Sequence, residues 1–504
     1  MILSMILIVF LSNEEQIIVV NNVRLTKAVR VPLAILFLSY TGAVQSNTGV
    51  IVNLLEKIKD NSDEMKVSQD EWMANRLELE SELSLFNTTG YLSASYSNEH
   101  TPPTSPFSPA SSVQKELGGG VSKLWSSGIQ SDFTYTFGDS LTTFPSRSDF
   151  SFKSPRLELS ASSSLIQNLF YKRYDHMFKR IDKQKKSLSL QAKIDKKIVL
   201  VTALTDFSSL LEQKDILSLQ MRVCKNTKAV SKNLAVKRKK GTVSKRDYYL
   251  NLKEVAKCNA SIESAKSVLI SQEENFKANY NVDFKDYGSL KTKKLFSEAK
   301  AIYSDHKTKQ SGVNVRQQDD IKNLQFQIDG LEHQQGELLA QAQTNLELEL
   351  KSGLTGLDNG ISGAHNDLTK TEYPFVYVGL RLDLPLKNRE ALQKVGANSY
   401  FLSALKRKTN LGIKRKSSRL VILEKMLEKD FEIYRQYEST VELSRRVVKE
   451  ATRDFNNGRL DLNVLTDFNN SLVNDQRTLS SHRIQLIVRV VEYLDFFQYF
   501  DRYL

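Results

Sequence analysis

The sequence predicts a mostly helical chain with two β regions, built from very long helices and amphipathic strands, and three observations lead there. Only 9 prolines and 21 glycines interrupt 504 residues, and most of them cluster, so the elements between them are long. Residues 165–240 contain neither proline nor glycine, and that span as one helix extends about 114 Å, too far for a compact domain. Around 344–384 the pattern changes to apolar residues alternating with charged ones, the period of a strand.

The chain is 26% charged and 40% apolar, with a mean hydropathy of -0.37. Outside the N-terminus no uninterrupted apolar run approaches the roughly 18 residues a membrane helix needs, so no internal transmembrane helix is expected. The N-terminus reads as an export signal over 1–43: Arg24, Lys27 and Arg30 precede an apolar run over 31–38 and the small residues Thr41, Gly42 and Ala43, after which cleavage is expected. A second apolar patch over 2–11 has no positive charge before it, as an over-extended start would. A net charge of +13 raises nucleic-acid binding as a class, and the export signal argues against it.

A first helical stretch spans 48–87, marked by Ile51, Leu54, Leu55 and Ile58 and then Leu77, Leu79 and Leu83. Strand-like alternation follows over 91–98, 117–124, 129–137 and 156–163. Between these runs lie a proline-rich loop at 101–109 and a loop over 138–155. The long helix over 165–240 comes next, then a helix to about Lys277, an interruption over 279–289 and more helix to about Gln343. In 344–352 Leu346, Leu348 and Leu350 share one face and Asn345, Glu347, Glu349 and Lys351 the other. In 376–384 Val376, Val378, Leu380, Leu382 and Leu384 oppose Tyr377, Gly379, Arg381 and Asp383. One such strand also suits a soluble sandwich. Charge on the whole polar face of both is what a water-filled barrel with a lipid-facing exterior needs. A loop over 356–374 joins them into a hairpin. Helix then resumes over 387–457 and 460–499, broken at Gly396 and Gly458.

The order helix, β, long helix, turn, helix therefore occurs twice, as a two-fold internal repeat. Gly241 and Gly458 each end a long helix, and Ser244 or Asp461 can cap the returning one. These are the tips of helical hairpins. Pro385 cannot donate to a ladder and ends the last strand, and Asn388 can cap the helix after it. The returning helix carries a heptad of Leu465, Leu472, Leu479 and Leu486, continued by Tyr493 and Phe500.

Three segments carry a resemblance. They are the junction Val378-Gly-Leu-Arg-Leu-Asp-Leu-Pro-Leu-Lys-Asn-Arg-Glu-Ala391, the tip Phe455-Asn-Asn-Gly-Arg-Leu-Asp461, and the loop Gly356-Leu-Asp-Asn-Gly360. Together they resemble the TolC-like outer-membrane efflux and type I secretion channels, across nearly all of the presumed mature chain. The resemblance implies a homotrimer in the cell outer membrane with its helices in the periplasm. Each protomer gives typically four strands to a shared β-barrel and its helices to a coiled-coil barrel. On this plan 44–87 is a periplasmic helix, and 88–164 holds the first outer-membrane strands and extracellular loops. A helical hairpin and an equatorial segment occupy 165–343, the second β-hairpin 344–386 and the second helical hairpin 387–504. The first half offers four strand-like runs where the family has two. Either two extra strands join the barrel or a hairpin projects outside the cell, and the projecting hairpin is the reading favoured here.

The resemblance also implies sites. Tip residues that dock a periplasmic adaptor, itself attached to an inner-membrane pump, fall at Gly241, Thr242, Ser244, Gly458, Leu460 and Asp461. The basic run Lys237, Arg238, Lys239 and Lys240, with Lys245 and Arg246, surrounds the first tip and suits an acidic adaptor surface. The acidic positions that close the periplasmic end fall at Val464 and Asp467. Val464 departs from the acidic pattern, leaving Asp467 as the gate candidate and Asp461 as a substitute. A solvated helix face explains these residues as well.

The only two cysteines, Cys224 and Cys258, each lie 17 residues from Gly241. In an antiparallel hairpin they share a depth about 25 Å above the tip. A disulfide is expected there, and two buried thiols are the alternative. His100, His176, His306, His333, His365 and His482 show no metal-ligand spacing, and no phosphate loop or nucleophile-elbow signature occurs. No catalytic site or cofactor is read. The competing functional reading is a periplasmic coiled-coil adaptor or scaffold without channel activity.

Overall fold

The computed structural model describes residues 49–504 apart from 101, 103, 104, 106, 107, 146, 147, 242, 310–313, 372 and 385–387. The expected signal segment over 1–43, Thr242 and Pro385 lie outside the described residues. Met1–Asn53 forms one unit, of which 49–53 are described and begin a helix; everything below concerns the second unit, Leu54–Leu504.

The first helical stretch is two helices, α1 (Val50–Asn61) and α2 (Asp63–Ser81). Ser62 between them is extended, with φ -65° and ψ 128°. Four strands follow: β1 (Thr89–His100), β2 (Ser111–Leu124), β3 (Ile129–Thr143) and β4 (Phe150–Ser164). A π-helical turn, Leu165–Phe170, leads to Lys172 at φ 51°, and only then does α3 (Arg173–Lys239) begin. Helix α4 (Lys245–Tyr280) returns alongside it, and Asn281, at φ 52°, ends it. The helix expected from there to about Gln343 is two, α5 (Thr292–Lys309) and α6 (Asp319–Ala342). Strand β5 (Asn345–Thr355), a short helix α7 (Ile361–Lys370) and β6 (Tyr373–Asp383) come next. The chain closes with α8 (Arg389–Asn456) and α9 (Leu462–Phe496). Gly396 does not break α8: it lies inside the helix with open space where a side chain would stand. The two hairpins have nearly equal arms, 67 and 36 residues against 68 and 35.

The six strands among the described residues form one antiparallel sheet in the order β1-β2-β3-β4-β5-β6. This corrects the projecting hairpin expected in the first half. Strand β2 is paired along its length on both sides, from Thr89↔Ser122 to His100↔Ser111 and from Leu124↔Gln130 to Ser111↔Thr143. The strands also run further than the alternation suggested, into 139–143 and 150–154. There Asp139 and Lys153 are register partners and form a 3.1 Å ion pair across the ladder, so a polar stretch is held in strand by its neighbour.

The helical core is thickest where α5 crosses the hairpins. Phe207 of α3 is fully buried among Phe276, Phe284 and Tyr287, with ring centroids 5.1–5.9 Å apart. Phe296 and Tyr303 of α5 stack on Tyr434 of α8 and Tyr493 of α9 at 4.6 and 4.9 Å. Of the α9 heptad, Leu465, Leu479, Leu486, Tyr493 and Phe500 are buried and Leu472 is half-buried. Charged bridges set the register between neighbours. Arg180 reaches both Glu82 at 2.6 Å and Glu337 at 3.0 Å, Lys193 joins Asp319 and Asp501, and Lys197 meets Asp495. Such pairs specify alignment more than they add net stability.

His176 of α3 and His333 of α6 face each other, with Nδ1 atoms 3.4 Å apart. Burial, then His176, Lys179 and Lys183, hold the His333 pKa below its ordinary value, against a smaller opposing pull from Asp329. As pH falls past about 6.5, the unfolded chain therefore takes up the proton first, and the stability present above that pH is lost. Buried His482 behaves in the same sense. The thermal unfolding midpoint of the purified protein is expected to fall between pH 7 and pH 5, and to fall less in His333→Gln. An identical fall in the variant would show that the pair is not responsible.

Candidate functional site

The sheet has two chemically opposite faces, and register decides which residue is on which. Directly paired residues of an antiparallel ladder share a face. One face therefore runs from Leu92 and Ala94 through Leu117 and Val121, Phe133 and Tyr135, and Leu157 and Leu159, to Leu348 and Leu350 and finally Val378 and Leu380. This band is exposed: Leu92 is 90% accessible and Val376 78%. An apolar surface so broad and continuous is unstable against water and is matched by hydrocarbon. Among the described residues no helix is long and apolar enough to cross a membrane.

The other face carries Glu347, Glu349, Lys351, Arg381 and Asp383 with many serines, threonines and glycines. Its charges pair along their own strands, Glu349 with Lys351 at 2.8 Å, Arg381 with Asp383 at 3.0 Å, and Arg156 with Glu158 at 2.7 Å. Its large rings lie over glycines: a Cβ on Gly120 would stand 2.9 Å from the Tyr91 ring, and one on Gly353 2.6 Å from Phe375. The glycines let these aromatics lie flat on the wall.

Each rim of the apolar band has its own fittings. At the helical end the tight turn over 125–128 is fastened to the β4–α3 junction, because Asn168 Nδ2 and Ser163 Oγ both donate to the Gly128 carbonyl at 2.9 Å. Trp125 bonds Ser131 at 2.7 Å and lies under the Lys123 ammonium, while Leu169 and Phe170 are exposed. Aromatics at that level are what an interfacial belt requires. At the far end α7 folds onto the apolar face, where His365 bonds the Tyr135 hydroxyl at 2.8 Å and stacks on Phe137. Gly356 is needed for that approach, since a Cβ there would collide with the Ala364 carbonyl. The sequence reading missed this helix, although Ile361, Ala364, His365 and Leu368 carry its spacing. It also expected Asn388 to cap α8. The Asn388 side chain makes no cap bond and instead donates to the Ala342 carbonyl at the end of α6, 3.1 Å away. The β6–α8 junction is thereby tied to the α6–β5 junction.

At the opposite end of the hairpins the two turns meet. Gly241 and Gly458 adopt φ of 72° and 75°, the left-handed conformation that glycine enters at least cost. Ser244 caps α4 by accepting from the Asp247 amide at 3.1 Å, whereas the Asp461 side chain makes no cap bond. Leu234, Ala451, Phe455 and Leu465 form a small core between the tips, covered by Val243, Leu460 and Leu462. Two of the four basic residues are engaged there: Lys237 lies over Phe455, and Arg238 over Tyr248 and Tyr249. Lys239, Lys240, Lys245 and Arg246 remain exposed. Just above, Val464 and Asp467 lie on an exposed stripe of α9, away from the buried Leu465. Asp461 is also exposed. Higher still, Cys224 and Cys258 are joined by a disulfide across the α3–α4 pair, with Cα atoms 5.5 Å apart. Among the described residues no group of three or more potential metal ligands gathers.

No protein-family model matches the chain, and no curated protein matches it at a significant level. Its fold is nevertheless shared with solved structures. The outer membrane protein VceC of Vibrio cholerae matches at 10% identity with a TM-score of 0.63, over 88% of this chain and 96% of its own. The CmeC outer membrane channel of Campylobacter jejuni matches at 11% and 0.64, over 89% and 85%. The open-state MtrE outer membrane channel of Neisseria gonorrhoeae matches at 10% and 0.61, over 88% of each chain. At this identity the likeness establishes the architecture, that of TolC-like channels.

Tryptic cleavage within 225–257 is expected to leave the two fragments joined on a non-reducing gel and to release them after reduction. Fragments that separate without reductant would show free thiols at Cys224 and Cys258.

Proposed function

We propose that this chain is one protomer of a homotrimeric outer-membrane exit duct, the passive final conduit of a tripartite efflux pump or a type I secretion system. The observation that supports it best is the two-faced sheet. An exposed apolar band spans all six strands on one side, a polar glycine- and serine-rich wall lies behind it, and two long helical hairpins hang from one end. A scaffold without channel activity has no use for such a band. The fold shared with outer-membrane channels agrees with this reading.

On this reading the sheet closes with those of two other copies across the outer membrane, the polar wall lines water, and the hairpins cross the periplasm. The paired tips meet an adaptor carried by an inner-membrane pump. Lys239, Lys240, Lys245 and Arg246 present positive charge there, which speeds encounter with an acidic partner. Internal duplication of the gene accounts for the near-equal hairpins and the two glycine tips. The chain itself performs no chemistry; its work is to keep one water-filled path continuous and to close it. Asp467 is the gate residue we favour. Three copies around one axis repel unless cations or protons compensate, so the ring attracts cations and favours opening. Val464 beside it contributes an apolar ring in place of a second acidic one.

Purified protein reconstituted into planar bilayers is expected to run as a heat-sensitive trimer and to conduct ions; a soluble monomer without conductance would sink the proposal. In Asp467→Asn the reversal potential under a salt gradient is expected to move toward zero, because cation preference weakens. An unchanged reversal potential would place the selectivity elsewhere in the duct.

A further inference from the structure

We propose that the outer-membrane barrel of this protein has eighteen strands, six from each of three copies, with the β1 edge of one copy paired to the β6 edge of the next. The proposal rests on the trimeric channel reading and adds to it the strand count, the seam and the bore.

The two edges require a partner. Among the described residues no strand lies beyond β1 or β6, yet the apolar band continues onto both, through Leu92 and Ala94 on one and Val378 and Leu380 on the other. Edge amides and carbonyls facing hydrocarbon find no water, and each unsatisfied group costs several kcal/mol. A second copy satisfies them with matched length, since β1 has 12 residues and β6 has 11. Direction matches as well: with six strands alternating, β1 and β6 run oppositely, so the seam is antiparallel like every ladder inside the protomer.

The sheet is also sheared as a closed barrel must be. Following partners from Thr89 through Ser122, Asp132, Ser160 and Lys351 leads to Tyr377. Strand β6 continues from there to Asp383 at the same helical rim. That offset is about 20 Å along the strands over about 24 Å across them, a tilt of about 40°, inside the range of membrane barrels. Closure at this tilt sets Asp383 beside Thr89 or Tyr91 of the next copy. Either register keeps Leu380 and Leu382 outside with Leu92 and Ala94, and Arg381 inside.

All six strands belong to the wall. Strands β2 and β3 have no helix of their own, being joined by the turn over 125–128, and they are the pair a twelve-stranded barrel would leave out. That turn is bonded to the β4–α3 junction through Asn168 and Ser163, and both strands are laddered over their full lengths, so the pair cannot swing away. Eighteen strands at this tilt close to a backbone diameter of about 36 Å, against about 24 Å for twelve. Tyr91 and Phe375 lie flat over glycines, so the added width stays open.

The test uses the full chain in lipid nanodiscs. Electron-microscopic projections down the barrel are expected to show eighteen strands and a diameter near 36 Å. In parallel, Tyr377→Cys is combined with Ser95→Cys or with Ser97→Cys, one pair for each register. Oxidation is expected to give covalent trimers in one of the two and in neither single variant. A conducting trimer with a barrel near 24 Å, or without a cross-link in either pair, would overturn the eighteen-stranded barrel and leave the channel reading standing. A protein that neither conducts nor forms a barrel would remove both.

Discussion

A peptide group in hydrocarbon has no water to bond, and the architecture of this chain follows from that one restriction. It dictates that the lipid-facing part be laddered sheet, that its outward residues be apolar from edge to edge, and that its irregular turns sit at the rims. The turn over 125–128 shows the rule at work: the Gly128 carbonyl accepts from both Asn168 and Ser163. At the other rim the β5–β6 connection is wound into α7, whose His365 in turn satisfies the Tyr135 hydroxyl.

The helices obey a different physics. Isolated helices draw little stability from propensity, so arms of 67 and 68 residues depend on lateral packing. That packing is uneven. Aromatic residues concentrate around Phe207, Phe296 and Tyr303, where α5 supplies an extra layer, and a separate small core around Leu234 and Phe455 joins the tips. Between them, bridges such as Arg180 with Glu82 and Glu337 act as alignment marks. Long amphipathic helices otherwise slide by a turn at little cost, and charged marks make each slipped alignment expensive.

Much of this was legible in the residues. Alternation at Leu346, Leu348 and Leu350 and at Val376, Val378 and Leu380 announced both strands and their faces, and the glycines at 241 and 458 announced the turns. What escaped depends on tertiary context. The ends of β3 and β4 are polar and read as loop, and they stay in strand because Asp139 and Lys153 stand opposite each other. Asn388 has a cap-type side chain and an accessible helix start, but the Ala342 carbonyl competes for it. The break between α5 and α6 carries no proline and one glycine, Gly312, a signal too thin to stop a helical pattern. The extra strands were visible as four runs; only their pairing partners could decide where they belonged.

The bond between Cys224 and Cys258 divides the mechanics of the hairpins unequally. Stapled helices cannot shear past each other, so below that point α3 and α4 bend as one stiff beam with a free length of about 25 Å. Neither cysteine has a counterpart on α8 or α9, and that pair retains its sliding freedom down to the tip. Because the small core around Leu234, Phe455 and Leu465 couples the two ends, a push on the tips is resolved into rotation of a rigid lever against a compliant one. Displacement then concentrates in the lower turns of α9, the segment that carries Asp467.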